Sequence, residues 1–488
     1  MHLTSESPGM PASTFPGRFA TPTRDKEDSF MSIDKVLDRL ARDENAALAR
    51  LIDLVRIPSI STDPAHAADV RRAADWLADD LREIGAAAEV IGTEGHPMVV
   101  GEIGTGAPHL LFYGHYDVQP VDPLDLWERP PFDPAVEETA AGEVIRGRGT
   151  SDDKGQVMTF LEALRAWVGV HGRAPCRITV FLEGEEESGS PSLIPFLEAQ
   201  RDRLGAADIA LICDTALAGP DRPAICTQLR GLVGEEVTLR GADRDLHSGL
   251  FGGAAANPAR VLAGILGALH DETGRVTLPG FYEGVPETPP EVLAGWESLG
   301  IEAGTMLGEV GLSHPAGEAG RSLLEMLWAR PTAEINGMIS GYTGPGFKTV
   351  LPAEASAKVS FRLVGEQDPQ AVRAAFRAFV ENRLPPDVTA RFAEHGAGPA
   401  SAMDTSHPVF AAARAALDAE WPNPSVFVGG GGSIPVAGHF QRILGLNSVL
   451  MGFALDDDRI YSPNEKYDLR SFRKGARSWA RLFGELAG

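Results

Sequence analysis

Short, almost wholly apolar runs alternate with amphipathic helical patterns in this chain, and this alternation constrains the fold more than any other feature. The apolar runs lie at 109–113, 177–182, 207–213 and, far along the chain, 447–453. Helical periodicity lies at 34–56, 66–84, 154–169 and 191–202. Buried strands that alternate with helices favour an α/β fold, in which a mostly parallel central sheet has helices on both faces.

A different pattern begins near residue 231. Polar and apolar residues alternate at 235–240 and 355–363, helical patterns lie at 257–270 and 369–383, and a long Pro/Gly-rich stretch covers 279–345. We therefore predict a smaller α+β domain, residues 231–396, inserted into a larger one formed by 31–230 and 397–488. Residues 1–30 are polar, rich in Pro, Ser and Thr, and without the apolar core of a secretory signal, so we predict a flexible tail.

Charge and cysteine content exclude several classes of protein. The formal net charge of −24 argues against nucleic acid or an anionic membrane as a partner, because phosphate contacts need clustered Lys and Arg. No apolar run approaches the roughly 18 residues of a membrane helix. Cys176, Cys213 and Cys226 form no C-x-x-C pair, so a disulfide framework is not expected. We predict a cytoplasmic protein.

The first chemically notable group is His115 with Asp117, directly after the apolar run at 109–113. In extended backbone, residues i and i+2 point to the same side. His115 is thus a candidate metal ligand, with Asp117 as hydrogen-bond partner of its other ring nitrogen. The alternative is a strand-end histidine that pairs with an aspartate for stability.

Three further acidic groups follow predicted strands or glycine-rich turns. Asp152 and Asp153 are adjacent carboxylates that can bridge cations, or that cap the next helix. In the run 185–187, one glutamate can bind metal while the next moves a proton, unless the run is a solvated loop. Asp214 ends the apolar run at 207–213, where it is a metal ligand or a loop cap.

These groups share a position, since an open α/β sheet binds its ligands at the carboxyl ends of its strands. Imidazole and carboxylate ligands without thiolate suit Zn²⁺, Mn²⁺ or Co²⁺. The sequence therefore predicts a metal site that holds one or two ions, with Zn²⁺ as the expected cofactor.

Six motifs in this order carry a family resemblance: HYDVQP, GRGTSDDKG, LEGEEESGS, DLHSG, GGSIP and SPNEK. From about residue 35 onward the chain resembles the co-catalytic zinc metallopeptidases, which include carnosinase-type dipeptidases, aminoacylase, succinyl-diaminopimelate desuccinylase and carboxypeptidase G. It is most similar to the dipeptidase branch. The resemblance implies a zinc-peptidase-like catalytic domain, an inserted lid and dimerisation domain, and a homodimer formed through that lid.

The resemblance also assigns roles to residues of the metal site. It implies that His115, Asp152 and Asp214 hold one metal, and that Asp152 bridges to a second metal that Glu187 also binds. Glu186 would be the general base and Asp117 would support His115. A cis peptide is implied between Asp152 and Asp153.

Substrate contacts follow from the same resemblance. His247 would be a lid histidine that reaches across the dimer and polarises the scissile carbonyl. Arg362 would bind the substrate carboxylate. Further substrate contacts are implied for Gly432, Ser433, His395 and Thr349.

The chain departs from the family pattern at two places. Tyr461 stands where the family has its last metal-binding histidine, and no histidine follows His439. A phenol has a pKa near 10, so the second metal is weak, absent or held by tyrosinate. Gly429 and Gly430 stand where the family has Arg-Glu, which favours substrates with an acylated or otherwise altered amine.

We therefore predict a metal-dependent hydrolase that cleaves the amide bond of dipeptides. The alternatives are an N-acyl amino acid amidohydrolase, related carbamoylase or desuccinylase chemistry, a protein that binds peptide or metal without hydrolysis, and acidic clusters with a structural role only.

Overall fold

The computed structural model describes residues 26–487 apart from 309 and 433. Most of the predicted tail, residues 1–25, lies outside the described residues, and the first helix begins at Lys26. The strands are β1 Ala87–Ile91, β2 Met98–Ile103, β3 His109–His115, β4 Ala135–Thr139, β5 Gly142–Arg146, β6 Arg177–Glu183, β7 Ile209–Ile212, β8 Ala224–Leu229, β9 Gly231–Arg240, β10 Leu246–His247, β11 Thr332–Ser340, β12 Val350–Leu351, β13 Glu354–Leu363, β14 Thr389–Gly398, β15 Ser401–Ala402, β16 Val426–Gly430, β17 Ser448–Leu450 and β18 Lys466–Asp468.

The α-helices are distributed along the whole described part of the chain. They are α1 Lys26–Arg42, α2 Glu44–Val55, α3 Ala67–Ile84, α4 Lys154–His171, α5 Leu193–Ala199, α6 Arg201–Leu204, α7 Ser248–Phe251, α8 Pro258–Gly267, α9 Pro290–Glu297, α10 Ala303–Gly308, α11 Leu323–Trp328, α12 Pro369–Glu381, α13 Pro408–Glu420, α14 Pro435–His439 and α15 Leu469–Leu486. Among the described residues, none of these helices has both the length and the apolar character that a membrane crossing requires.

The large sheet has the strand order β1-β2-β6-β3-β7-β17-β8-β15, and β16 also pairs with β8. Its centre is parallel: β3 lies between β6 and β7, and β17 continues parallel to β7. Strands β1, β2 and β15 pair antiparallel at the edges. The central strands β3 and β7 are buried along their whole length, because helices cover them. The predicted α/β fold with a mostly parallel central sheet is confirmed.

A second, antiparallel sheet has the order β11-β13-β9-β14 and its own apolar core. Burial alternates along β9 and β13, as expected for a sheet with one face covered. Helices α8 and α12 pack on this sheet through residues such as Leu262 and Phe376. The sheet begins at Gly231 and ends at Gly398, close to the predicted domain limits of 231 and 396.

Two stretches differ from the sequence-based expectation. The helical pattern at 34–56 is divided between α1 and α2, which meet at Asp43. The Pro/Gly-rich stretch at 279–345 contains α9, α10 and α11. These helices have only six to eight residues each, too few for a periodic pattern to stand out. A capping box between Ser322 and Glu325 begins α11.

Candidate metal centre

Three candidate ligands meet at the carboxyl ends of the central parallel strands. His115 is the last residue of β3, Asp214 follows β7, and Asp152 lies in the loop before α4. One ligand atom from each lies within 4.8 Å of the other two. His115 Nε2 is 3.0 Å from Asp152 Oδ1 and 4.0 Å from Asp214 Oδ2. The structure thus brings together the imidazole and two carboxylates that the sequence predicted as ligands.

Asp117 lies on the opposite side of the His115 ring. His115 Nδ1 is 3.4 Å from Asp117 Oδ1 and 3.1 Å from the Asp117 carbonyl oxygen. The Asp117 carboxylate also accepts the backbone N–H groups of Glu186 (3.2 Å) and Glu187 (3.0 Å). Burial alone lowers the pKa of His115, but hydrogen bonds with Asp117 and Asp152 raise it well above its ordinary value. Asp117 therefore fixes both the imidazole and the glutamate turn.

The three consecutive glutamates have different surroundings. Glu185 is buried and accepts the backbone N–H groups of His96 and Ser192, so it ties two loops together. Burial, together with the charges of Asp214 and Glu187, raises the pKa of Glu186 to about 9. Burial and the Asp152 charge raise the pKa of Glu187 to about 8. Two of the three glutamates thus share the electrostatic field of the metal cluster.

The residues of this cluster fit a divalent cation. Asp152, Asp214, Glu186 and Glu187 surround a single imidazole, and burial together with Asp152 raises the pKa of Asp214 to about 6. Carboxylates crowded in a poorly hydrated site need a positive charge to stay ionised. Imidazole and carboxylate oxygen are ligands of Zn²⁺, Mn²⁺ and Co²⁺.

The loop that carries Asp152 is held by residues to which sequence reasoning gave no role. Glu465 is fully buried and accepts the backbone N–H groups of Gly149 (3.1 Å), Ser151 (3.0 Å) and Asp152 (3.2 Å). The Arg148 guanidinium donates to the same carboxylate at 2.6 Å. Burial raises the pKa of Glu465 to about 7. The only available signal was the position of Glu465 within the SPNEK motif.

Asp153 supports the cluster through the backbone of His115. Its carboxylate accepts the backbone N–H of His115 at 3.1 Å and faces the thiol of Cys213 at 3.3 Å. The peptide bond between Asp152 and Asp153 is cis, as the resemblance implies. Asp153 therefore positions the end of β3 and is not one of the three converging ligands.

Tyr461 lies beside the cluster with 55% of its surface exposed and a left-handed backbone φ of 65°. Desolvation of its hydroxyl, followed by the charges of Asp152 and Glu187, raises the pKa of the phenol. The side chain is thus neutral at ordinary pH when no cation is near. Glu187 accepts a hydrogen bond from Gln119 Nε2 at 2.8 Å.

His247 and Thr349 are brought together away from the cluster. Strands β10 and β12 pair, and the Ser248 N–H donates to the Thr349 carbonyl at 3.1 Å. His247 Nδ1 accepts the Gly249 N–H at 3.0 Å, so the neutral ring carries its proton on Nε2. The His247 side chain is exposed, and within the described part of the chain no hydrogen bond or ion pair joins it to the metal cluster.

Arg362 is half-buried on β13, opposite Leu232 of β9. Arg230 lies at the junction of β8 and β9. Burial, together with the charge of Arg362, lowers the pKa of Arg230 to about 10. Neither guanidinium has a carboxylate within 4.0 Å among the described residues. Arg230 belongs to none of the six sequence motifs, and sequence reasoning missed it.

The remaining predicted substrate contacts are Gly432, His395 and Ser433. Gly432 lines the same cavity as Asp214. His395 is 52% exposed, with Nε2 at 3.5 Å from the Glu236 carboxylate, on the small sheet. Ser433 lies outside the described residues.

A buried imidazole and carboxylate cluster at the carboxyl edge of an α/β sheet, with a glutamate of raised pKa beside it, defines a metal-dependent hydrolase. The sequence profile of Peptidase family M20/M25/M40 matches residues 111–485. The chain belongs to this family and is a metallopeptidase.

Individual relatives agree with this assignment. The Cys-Gly metallodipeptidase dug1 of Schizosaccharomyces pombe is 29% identical over 473 residues, which cover 94% of this chain and 99% of the relative. The human Beta-Ala-His dipeptidase is 29% identical, with 80% of this chain and 78% of the relative covered. The structure of the metallo-carboxypeptidase Sso-CP2 from Sulfolobus solfataricus has a TM-score of 0.78 and 30% identity, and covers 90% of this chain and 99% of that one.

Proposed function

We propose that this metallopeptidase hydrolyses the amide bond of dipeptides and uses Zn²⁺ held by His115, Asp152 and Asp214. The observation that carries the proposal is the convergence of these ligands within 4.8 Å, beside Glu186. A bound divalent ion supplies Lewis-acid polarisation of the scissile carbonyl and lowers the pKa of water. The dipeptidase names of the relatives support the choice of substrate.

Glu186 is the proposed general base. Its carboxylate takes a proton from the attacking water and delivers it to the nitrogen of the leaving amine. Burial and the nearby carboxylates make Glu186 a stronger base than an exposed glutamate, and a bound cation would keep it ionised at neutral pH. Asp117 holds the turn at 186–187 and the His115 ring in position relative to each other, because its carboxylate contacts both.

Arg362 is the proposed anchor of the substrate carboxylate. Its guanidinium has no carboxylate partner within 4.0 Å among the described residues, so its charge remains available. Gly432 and Thr349 belong to the same proposal as substrate contacts, as does Ser433, while His395 would contact substrate from the small sheet. A cytoplasmic location is also part of the proposal, supported by three free, buried cysteines.

The experiment is amino-acid release from a panel of dipeptides and N-acyl amino acids, each assayed with Zn²⁺, Mn²⁺ and Co²⁺. Cleavage of unblocked dipeptides is the expected result. Cleavage of N-acyl amino acids alone would replace the proposal with amidohydrolase activity, which the uncharged Gly429-Gly430 pair favours. Tight dipeptide binding without cleavage would indicate a protein that retained its site and lost its chemistry.

A homodimer through the small sheet completes the proposal. Strand β11 is an edge strand, and it exposes Ile335 (46%), Met338 (51%) and Ile339 (68%). Exposed apolar edge strands pair readily with a second chain. Because His247 is exposed and its Nε2 carries the proton, we propose that it donates to the oxyanion in the site of the partner subunit.

Replacing His247 by alanine is expected to lower kcat about 10²–10³-fold, since that is the typical cost of one oxyanion donor. Steady-state assay of the folded dimer measures this, and His314→Ala, which removes an exposed histidine of the same domain, is the matched control. Mixing His247→Ala chains with Glu186→Gln chains should restore activity, because the mixed dimer has one intact site. Near-normal turnover of His247→Ala would remove the histidine from the mechanism.

Replacing Tyr461 by histidine is expected to strengthen a second metal position next to Glu187. A neutral phenol is a poor ligand, whereas imidazole binds Zn²⁺ well, so the affinity for a second ion should rise about tenfold or more. Metal content per chain and calorimetric titration measure this, with Tyr342→His as control for an exposed tyrosine of the small domain. Two ions per chain in both the wild type and Tyr461→His would mean that the tyrosine already serves as a ligand. One ion per chain in both would mean that position 461 holds no second ion.

A further inference from the structure

A cavity of about 800 Å³ opens directly beside the metal cluster. Asp214 and Gly432 both line it. Ligand pockets typically have about 300–1,000 Å³, so the cavity can hold an amino-acid side chain. Of the residues that line this cavity, the chemistry proposed above uses Asp214 and Gly432, which leaves the others without a role.

The walls of this cavity are apolar. One wall comes from β8 and β16, and the other from 299–306 and 324–328, which belong to the Pro/Gly-rich stretch at 279–345. Its large apolar residues include Leu229, Leu299, Ile301, Met306, Leu327 and Trp328. The charged residues among the described lining are Asp214, Glu302 and Asp456, and none of the described lining residues is a lysine, arginine or histidine. The cavity therefore suits an uncharged, apolar group.

The wall formed by 299–306 and 324–328 is fixed to the large sheet. Trp328 packs edge-on against the buried Trp296, with ring centroids 5.2 Å apart. Gln228 Nε2 donates to the Trp328 carbonyl at 3.1 Å. The Arg230 guanidinium donates to the Met326 carbonyl at 3.3 Å and also to the Gly431 carbonyl at 2.9 Å. The wall is therefore a fixed part of the site.

Gly429 makes this wall possible. A Cβ at Gly429 would lie 2.5 Å from the Trp328 Cβ, closer than real Cβ atoms approach. Gly429 thus lets α11 pack directly on β16. A Cβ at Gly430 would lie 2.7 Å from Leu229 Cδ2, the end of a side chain on β8. Both glycines line the cavity, and neither adds a side chain to it.

We infer that this cavity binds a bulky apolar side chain of the substrate, so that the enzyme selects dipeptides containing a residue such as leucine or phenylalanine. The inference rests on the proposed dipeptidase function. An apolar pocket discriminates by about 10–200-fold for a methylene-sized difference, so leucine should exceed glycine by at least about tenfold in kcat/KM.

The first test compares Gly-Gly, Leu-Gly and Gly-Leu with the metal-loaded wild-type enzyme. A preference of at least tenfold for one leucine-containing dipeptide over Gly-Gly is expected, and it also identifies the side of the scissile bond that faces the cavity. Cleavage of all three at similar kcat/KM would overturn the inference while the dipeptidase function stands. Failure to cleave any dipeptide in the full panel would overturn the function itself.

The second test changes the mouth of the cavity. Ile301 and Met306 are 38% and 42% exposed, so the double variant Ile301→Ser/Met306→Ser should remain folded. We expect it to reduce the ratio of kcat/KM for the preferred leucine dipeptide over Gly-Gly by about five- to tenfold. Val310→Ser/Leu312→Ser is the matched control, since these residues are 71% and 58% exposed in the same stretch and do not line the cavity. An unchanged ratio in the first variant, or an equal fall in both, would overturn the inference.

Discussion

Glutamine at position 186 is expected to lower kcat about 10²–10⁴-fold, the usual contribution of a positioned general base. Glutamine keeps the shape of the side chain and cannot accept the proton of water. Metal content should not change, because Glu186 is not among the three ligands that converge within 4.8 Å. Steady-state kinetics and metal analysis of the same preparation measure both effects.

Glu198→Gln is the control for this experiment, because Glu198 is an exposed glutamate on α5, away from the cluster. The Glu186→Gln variant should also lose the acid limb of the pH profile of kcat/KM, which a merely structural role would leave in place. Retention of more than about a tenth of the wild-type kcat would place the base elsewhere, since even the smallest usual contribution exceeds that.

Removal of the metal is expected to abolish activity and to make stability depend on pH. Without a cation, the folded pKa values of Glu186, Glu187 and Asp214 are about 9, 8 and 6, all above their ordinary values. The pKa of His115 is raised as well. A group with a raised pKa keeps its proton in the folded state at a pH where the unfolded chain has released it. The folded state therefore becomes less stable as pH rises.

Between pH 6 and 8 the two glutamates contribute over the whole range, and His115 adds to them above its ordinary pKa. Each should cost about 1.4 kcal/mol of unfolding free energy per pH unit in the metal-free protein. Denaturant unfolding of chelated protein across this range measures it, and added Zn²⁺ should restore both activity and stability. The metal-free double variant Glu186→Gln/Glu187→Gln should show a shallower dependence. Stability that is flat or rises from pH 6 to 8 in the chelated wild type would contradict the proposed charge cluster.

The sequence predicted the central ligands because strand ends are visible in it. His115 and Asp214 each follow an apolar run, and parallel strands bring their carboxyl ends to one edge of a sheet. The same argument placed Glu187 beyond β6. Tyr461 was noticed only through the family resemblance, since nothing in its local pattern marks a ligand.

The supports of these ligands could not be predicted in the same way. Glu465 bonds the backbone of a loop that lies more than 300 positions earlier in the chain. Arg230 has an ordinary local sequence, and only the folded chain places it against Gly431 and near Arg362. Hydrogen bonds between distant segments leave no periodicity, so a single sequence does not reveal them.

The sequence by itself determined the α/β class, the second, antiparallel sheet and the residues of the candidate metal cluster, because each depends on local patterns of burial or on the ends of strands. Tertiary structure alone decided the cavity beside Asp214. That cavity exists because α11 packs on β16 where Gly429 allows Trp328 to approach closely. Such packing joins segments about 100 residues apart, and it depends on shape complementarity between them, which neither segment carries alone.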